Sequence, residues 1–441
     1  MKSNDALLAA WEETLGRKGD APAILATTGE VTRTFRGIEE QARAAEAKMR
    51  KVEPGNVYAI EIGNHEDWPS IFLACLRKGF VVLPLDRSIR QQERDKALSI
   101  CSASDWHGRQ PTLFKLSSGT TAAPRAIPFR SEQLLADCEN ICATMGISDV
   151  DLNFGVIPIS HSYGFSNLLT PLLARGVPMV LSRDQTPRAV LNDLARTKAT
   201  VFPGMPIFYQ AFCEIEDLPA LPKLRLCISA GAPLSAAIAK KFYEKCNRPI
   251  HSFYGSSECG GICYDRDGTI FEDGFVGAPM ANVDLAVIDP DAESSQVRVR
   301  SAAVADGYFP DADAEKLSGG VFVPDDLLAR HAGGFKIVGR ISDVINVAGK
   351  KVHPAEVEAQ LTRFPGVRQA IVFGRKSSRR NEEVVACVVA DSKVSETELL
   401  EFCRTHLSGW QAPKRIFLVD KIPVSERGKI SRRELALRFG L

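Results

Sequence analysis

The chain has 441 residues, 45% hydrophobic and 25% charged, with a net charge of +1. That is the composition of a soluble globular protein larger than one ordinary domain. Eleven cysteines occur without a C-x-x-C pair, and nothing near Cys259 and Cys263 completes a zinc site, so reduced thiols in a cytoplasm are expected. The opening MKSNDALLAAWEETLG lacks a basic segment followed by an apolar core, so it does not read as a secretory signal, and no apolar run approaches the roughly 18 residues of a membrane span.

In chain order, the first hundred residues alternate helix and strand patterns. GIEEQARAAEAKMRKV is an amphipathic helix, VYAIEI a strand, DWPSIFLACLRKG a helix and FVVLPL a short buried strand. TLFKL then alternates like a strand, and SEQLLADCENICATM reads as a helix, with a small polar loop between them. The rhythm resumes through NFGVIPI, NLLTPLLARG, PMVLS, PRAVLNDLARTKA and TVFPGM, and continues in LRLCISAG, LSAAIAKKFYEKC and PIHSFYG. Strands separated by helices in this way predict parallel α/β layers. Beyond Arg340 the texture changes to a compact α+β unit of about a hundred residues. There VINVAG, QAIVFG, EVVACVVAD and RIFLVD are strands, Pro354 opens a helix, and Ser395 with Glu398 forms a capping box for another. The expected organisation is a large domain over 1–340, a hinge at 341–343 and a small domain over 344–441.

Charge is unevenly divided. Residues 344–441 carry 18 Lys/Arg and 11 Asp/Glu, a balance of +7, which leaves −6 for the rest. A basic unit can face polyphosphate, a membrane or nucleic acid, or simply be solvated. The absence of a long Lys/Arg run with interleaved aromatics disfavours nucleic acid.

The segment KLSSGTTAAPRAIP, from Lys115 to Pro128, packs little apolar surface. Ser117, Ser118, Gly119, Thr120 and Thr121 offer hydroxyls and backbone N–H groups, which suit either an ordinary Ser/Thr turn or a cradle for an oxyanion. No G-x-x-x-x-G-K-[ST] occurs, and no G-x-G-x-x-G follows a first strand, which excludes a P-loop NTPase and disfavours a nicotinamide dehydrogenase. Further polar segments follow in order: PISHSYGFSN, SAGAPLS, FYGSSECGG, FVPDDL, GFKIVGRISDVINVAGKKVHPAEVE and IPVSERGKISRREL.

As an ordered set these motifs resemble the adenylate-forming superfamily of acyl- and aryl-CoA synthetases, peptide-synthetase adenylation domains and firefly luciferases. The resemblance implies a large α/β N-terminal domain with parallel-rich sheets and a small mobile α+β C-terminal domain. It implies that a carboxylic acid attacks the α-phosphate of ATP with Mg²⁺ present, releasing pyrophosphate, and that the acyl group then passes to coenzyme A. A carrier-protein phosphopantetheine or an amine is the alternative acceptor, and a noncatalytic nucleotide or acyl binder the alternative of another class. Residues 117–121 and Arg125 would hold the terminal phosphates, with Arg125 standing where the family has lysine and Ala122 where it has glycine. Gly231, Ala232, Tyr254, Gly255 and Ser257 would surround the adenosine moiety. Asp326, with Asp325 as rival because PDD replaces the usual TGD, would take the ribose hydroxyls beside Arg340. Glu258 would hold Mg²⁺, and Lys429 would be the mobile catalytic lysine. Ser342 would be the hinge pivot, with Gly349, Lys350 and Lys351 near the coenzyme A arm. His161, Ser162, Phe165, Phe253 and Gly260 would line the acyl pocket, the glycines leaving room for substrate. No aspartate lies between Pro158 and Pro171 to pair with an ammonium group, so a plain fatty or aromatic acid is expected. Only about thirty residues separate VLPLDR from the phosphate loop, shorter than is usual in the family.

Overall fold

The computed structural model describes residues 5–49, 56–102, 110–116, 125–377, 381–422 and 432–439. By compactness the chain divides into two units. The first comprises Met1–Ala286, Arg298–Pro324 and His331–Phe335, and the second Val287–Val297, Asp325–Arg330 and Lys336–Leu441.

The first unit carries a large sheet whose strands run in the order Phe275–Pro279, Gly260–Tyr264, Ile250–Ser256, Leu226–Ser229, Val201–Gly204, Asn153–Gly155, Met179–Leu181, Pro22–Leu25 and Val31–Thr34. From Ile250–Ser256 across to Pro22–Leu25 every neighbouring pair is parallel. The strands at this centre are buried on both faces, which is why Leu226–Ser229 and Val201–Gly204 read as short apolar runs and not as alternations. The helices the sequence predicts between them are present, among them Ser131–Met145, Pro187–Thr197 and Ala236–Cys246. This is the α/β fold expected.

A second sheet of the same unit runs Val57–Ile60, Val81–Pro84, Leu113–Leu116, Ala126–Phe129. Here the structure corrects the sequence reading. RAIPF, treated as part of a loop, forms the strand Ala126–Phe129, antiparallel to Leu113–Leu116 with Phe114 opposite Pro128. Proline is tolerated because the strand ends this sheet's order. The strand Ala126–Phe129 therefore stands between Leu113–Leu116 and the helix Ser131–Met145 in the chain.

In the second unit, Asn381–Ala390 pairs with Val367–Ser377 and Ile345–Val347 antiparallel and with Arg415–Leu418 parallel. Its alternate residues enter two cores. Val384, Ala386 and Val388 pack with Val357, Leu361, Leu399 and Cys403, while Val385, Cys387 and Val389 pack with Phe373, Ile422 and Leu435. Burial on both faces accounts for the unbroken apolar run VVACVVA. Pro354 stands in the first turn of Pro354–Leu361. Ser395 caps Glu396–His406 as expected, its backbone N–H donating to Glu398 at 2.9 Å. Arg432 ties the unit's last helix back: it donates to Asp343 at 2.7 Å, to Glu358 at 2.8 and 3.0 Å, and to the Val372 carbonyl at 3.0 Å.

Candidate active site

The registers put the carboxyl ends of two parallel strands level, Ser229 beside Gly204, while the third strand has Ser252 beside Ser229 and runs on to Ser256. Segments leaving such ends form the crevice where ligands of open α/β sheets bind. The exposed Gly231 and Ala232 lie just beyond one strand, with Gly231 at φ +86°, a left-handed value that glycine adopts without strain. Tyr254 lies on the neighbouring strand, 8% exposed, with Gly255, Ser256, Ser257 and Glu258 following it.

Glu258 is held by three groups. Tyr308 donates from its hydroxyl to Oε1 at 3.0 Å, Ser256 donates to Oε2, and the Ala305 N–H donates to the Glu258 carbonyl at 2.9 Å. Burial, with the Glu258 charge beside it, pushes the Tyr308 phenol well above its ordinary range, so it stays a donor. Arg125 lies over the Tyr308 ring, 3.8 Å from its centroid, and approaches Asp313 at 3.4 Å. Arg125, Tyr308 and Glu258 thus form one chain of contacts. Next to them Cys259 is buried, and burial pushes its thiol up, so it offers no thiolate.

The segment 158–167 reaches the same place. Asn64 fixes its approach, donating to the carbonyls of Gly155 at 3.2 Å and Ile157 at 3.1 Å and accepting from the Ile159 N–H at 2.9 Å. Ser162 then donates to Ser257 Oγ at 3.0 Å, joining HSYGF to SSE. His161 Nε2 stands 3.4 Å from Asp86, which also accepts from the Ser88 N–H at 2.8 Å and from the Ser88 hydroxyl. The His161 contact, with these bonds from Ser88, outweighs burial and holds the Asp86 carboxyl below the usual carboxylate range. Phe253 is buried beside Tyr163, ring centroids 5.8 Å apart.

Two features of the expected acyl pocket look different in the structure. Phe165 is 1% exposed and packs edge-on against Trp68 and Phe72, at 6.1 and 5.6 Å, so its observed role is core packing. Nor do the glycines simply leave space for substrate. A Cβ on Gly260, at φ +71°, would stand 2.0 Å from Asp137 Oδ1, and one on Gly255 would stand 2.6 Å from the Gly260 carbonyl oxygen. They permit the close hairpin between Ile250–Ser256 and Gly260–Tyr264, which Asp137 clasps by accepting from the Gly261 N–H at 3.0 Å and from Ser166 Oγ at 2.6 Å.

In the second unit, Arg340 Nε donates to Asp326 at 2.8 Å, and the carbonyl of the rival Asp325 accepts from the Ile341 N–H at 2.8 Å. Ser342 is exposed within the short 3₁₀ turn Ile341–Asp343. Gly349, Lys350 and Lys351 are exposed on a tight hairpin, with Ala348 at φ +51° and Gly349 at φ +87° forming its turn. Lys350 Nζ lies 5.4 Å from the Trp410 ring centroid. Ser117, Ser118, Gly119, Thr120, Thr121 and Lys429 lie outside the described residues. Sequence reasoning missed Tyr308, Asp313, Asp86, Asp137 and Asn64. The motif SSE could have signalled only that Glu258 needs donors, not that one comes from fifty residues downstream.

A tyrosine, small residues and a clasped carboxylate thus gather where open α/β sheets bind their ligands. Two family models match the chain, "AMP-binding enzyme" over residues 102–309 and "AMP-binding enzyme C-terminal domain" over residues 356–429. The chain belongs to this family, whose members are the adenylate-forming enzymes its motifs resemble. It is 29% identical over 348 residues to a probable CoA ligase of Humulus lupulus, covering 74% of this chain and 66% of that protein. It is 27% identical over 467 residues to a feruloyl-CoA synthase of Amycolatopsis, covering 94% of each. Its fold is shared with ATP-bound MatB from Rhodopseudomonas palustris, at a TM-score of 0.88, 21% identity and 98% coverage of both chains. It is also shared with o-succinylbenzoate CoA synthetase from Bacillus subtilis, at 0.83, 19% and 97% of both.

Proposed function

We propose that the protein is an AMP-forming acid–thiol ligase: it joins a carboxylic acid to the α-phosphate of ATP, releases pyrophosphate, and transfers the acyl group of the adenylate to coenzyme A. The observation that carries this reading is the clasped Glu258 at the carboxyl ends of the parallel strands, joined through Tyr308 to Arg125. Bringing a carboxylate to a phosphate sets negative charge against negative charge, so fixed cations and donors must meet the charge as it develops.

Glu258 fits Mg²⁺: its carboxylate is a hard oxygen donor, its orientation is fixed by two hydroxyls, and one carboxylate with phosphate oxygens and waters is an ordinary set for that ion. Bound there, Mg²⁺ would neutralise phosphate charge. Ser117, Ser118, Gly119, Thr120, Thr121 and Arg125 receive the terminal phosphates in this reading. Tyr254, with Gly231, Ala232, Gly255 and Ser257, receives the adenosine, Asp326 and Arg340 the ribose side. Lys429 stabilises the adenylation transition state from the small domain, which turns at Ser342 between the two half-reactions. Gly349, Lys350 and Lys351 approach coenzyme A.

His161, Ser162, Phe253 and Gly260 belong to the acid's side. Asp86, the carboxylate beside His161, already has His161 and Ser88 as partners, which favours a fatty or aromatic acid without an ammonium group over an amino acid. A reducing cytoplasm suits the eleven free cysteines. The test is pyrophosphate release from ATP across fatty, aromatic and amino acids, with and without coenzyme A. Acid-dependent release that coenzyme A accelerates, with a thioester formed, supports the ligase. Release indifferent to coenzyme A assigns the acceptor to a carrier protein or an amine.

A further inference from the structure

The second sheet delivers two side chains to the segment that carries His161. Val57–Ile60 and Val81–Pro84 are parallel, so they end on the same side, and Asn64 and Asp86 follow those ends. Asn64 holds main chain, through the Ile157 carbonyl and the Ile159 N–H. Asp86 meets a side chain, with Oδ2 3.4 Å from His161 Nε2. The next residue, Ser162, makes the 3.0 Å bond to Ser257 beside Glu258. Direct contacts thus lead from Asp86 through residues 161 and 162 to the motif of the clasped carboxylate.

The two oxygens of Asp86 have different partners. Oδ1 accepts from the Ser88 N–H at 2.8 Å and from the Ser88 hydroxyl at 2.6 Å, closing a turn that asparagine makes as readily as aspartate. Only Oδ2, toward His161, gives a reason for a carboxylate. An oxygen there calls for a proton on Nε2, and its charge balances an imidazolium. An amide whose oxygen stayed on Ser88 would turn its NH₂ group to Nε2, which calls for a lone pair there and puts the proton of a neutral ring on Nδ1. With Nε2 facing Asp86, Nδ1 is the nitrogen the ring offers elsewhere, and the side chain, 43% exposed, is open to a ligand.

We propose that Asp86 is a positioning residue for the acid substrate: it holds the His161 imidazole by Nε2, balances its positive charge, and so presents an Nδ1–H donor to the carboxylate of the incoming acid. This rests on the reading of the protein as an ATP-dependent ligase. The acid arrives as an anion, and a held imidazolium gives it a directed, charge-assisted hydrogen bond. The effect falls on the acid and not on ATP, which separates positioning from a general loss of structure. Both side chains are partly exposed, so water screens the pair and a loss of about tenfold is expected, not more.

The experiment is acid-dependent exchange of pyrophosphate into ATP by the wild type, Asp86→Asn, His161→Phe and the double variant, with a thermal melt of each. The acid is whichever fatty or aromatic acid gives the wild type its fastest exchange. Asp86→Asn keeps the Ser88 turn and reverses the group facing Nε2. It is expected to raise the KM for the acid about tenfold and to leave the KM for ATP within about twofold. His161→Phe is expected to show the same selective defect, and Asp86→Asn to add nothing to it in the double variant. A wild-type KM for the acid in Asp86→Asn, equal rises for acid and ATP, or additive effects in the double variant overturn the proposal. So does an unchanged KM for the acid in His161→Phe, whether or not Asp86→Asn folds. A wild type that exchanges with no acid refutes the ligase reading itself, a result that control distinguishes from failure of Asp86 alone.

Discussion

Tyr308→Phe removes one oxygen and leaves the rest of the site in place. The ring, 4% exposed, continues to carry Arg125 at 3.8 Å, so only the 3.0 Å hydrogen bond to Glu258 is lost. A hydrogen bond to a charged acceptor contributes about 1.5–3 kcal/mol, and each ~1.4 kcal/mol is tenfold, which sets a range of about 10- to 100-fold. Glu258 is half-buried and keeps the Ser256 hydroxyl, so water and Ser256 offset part of the loss and the lower end applies. Outer partners of metal ligands act on affinity on the same scale. The Mg²⁺ concentration giving half-maximal ATP–pyrophosphate exchange is therefore expected to rise about tenfold, with a smaller fall in rate at saturating Mg²⁺. Tyr308→Ala, which also strips the ring from beneath Arg125, is expected to raise the KM for ATP as well. An unchanged Mg²⁺ requirement in folded Tyr308→Phe would refute the assignment of Glu258 as the Mg²⁺ ligand.

Gly260→Ala places a Cβ 2.0 Å from Asp137 Oδ1 at φ +71°, so a loss of about 3 kcal/mol or more is expected in urea denaturation; a loss below about 1 kcal/mol would mean the hairpin clasp is loose. Asp86 has a folded pKa below its unfolded one, so its stabilisation is complete above about pH 4 and fades as pH falls toward the folded value. Asp86→Asn is expected to flatten the loss of Tm between about pH 5 and pH 3; parallel curves for the two proteins would contradict the His161 contact. Lys429→Ala is expected to slow adenylate formation by about 10²–10³ while thioester formation from supplied adenylate proceeds near the wild-type rate. Stopped-flow measurement of the two half-reactions checks this, and near-normal adenylation would remove Lys429 from the mechanism.

Local signals were the readable ones. Alternation of strands and helices announced the parallel layers, and Ser395 with Glu398 announced a cap, because each depends on neighbours within a few residues. Glu258 was legible because SSE sits in an ordered series of motifs. Its donor Tyr308 and the Arg125 partner Asp313 were not, since a hydrogen bond across 50 residues and an ion pair across 188 leave no spacing to read. Pro128 hid a strand, because proline argues against one unless the strand lies at a sheet's edge. The glycines of YGSSECGG misled in a different way. They suggested space for substrate, whereas Asp137, more than a hundred residues earlier, comes so close to Gly260 that a Cβ would collide with it. Phe165 likewise sits in a motif segment yet packs against Trp68 and Phe72.

In the proposed reaction a carboxylic acid cleaves ATP between the α- and β-phosphates. Exchange of radiolabelled pyrophosphate into ATP, with and without fatty and aromatic acids, measures that step directly. The expected result is exchange that requires an acid and Mg²⁺ and collapses in Glu258→Gln. Conversion of ATP to ADP and phosphate, or exchange that ignores the acid, would contradict it.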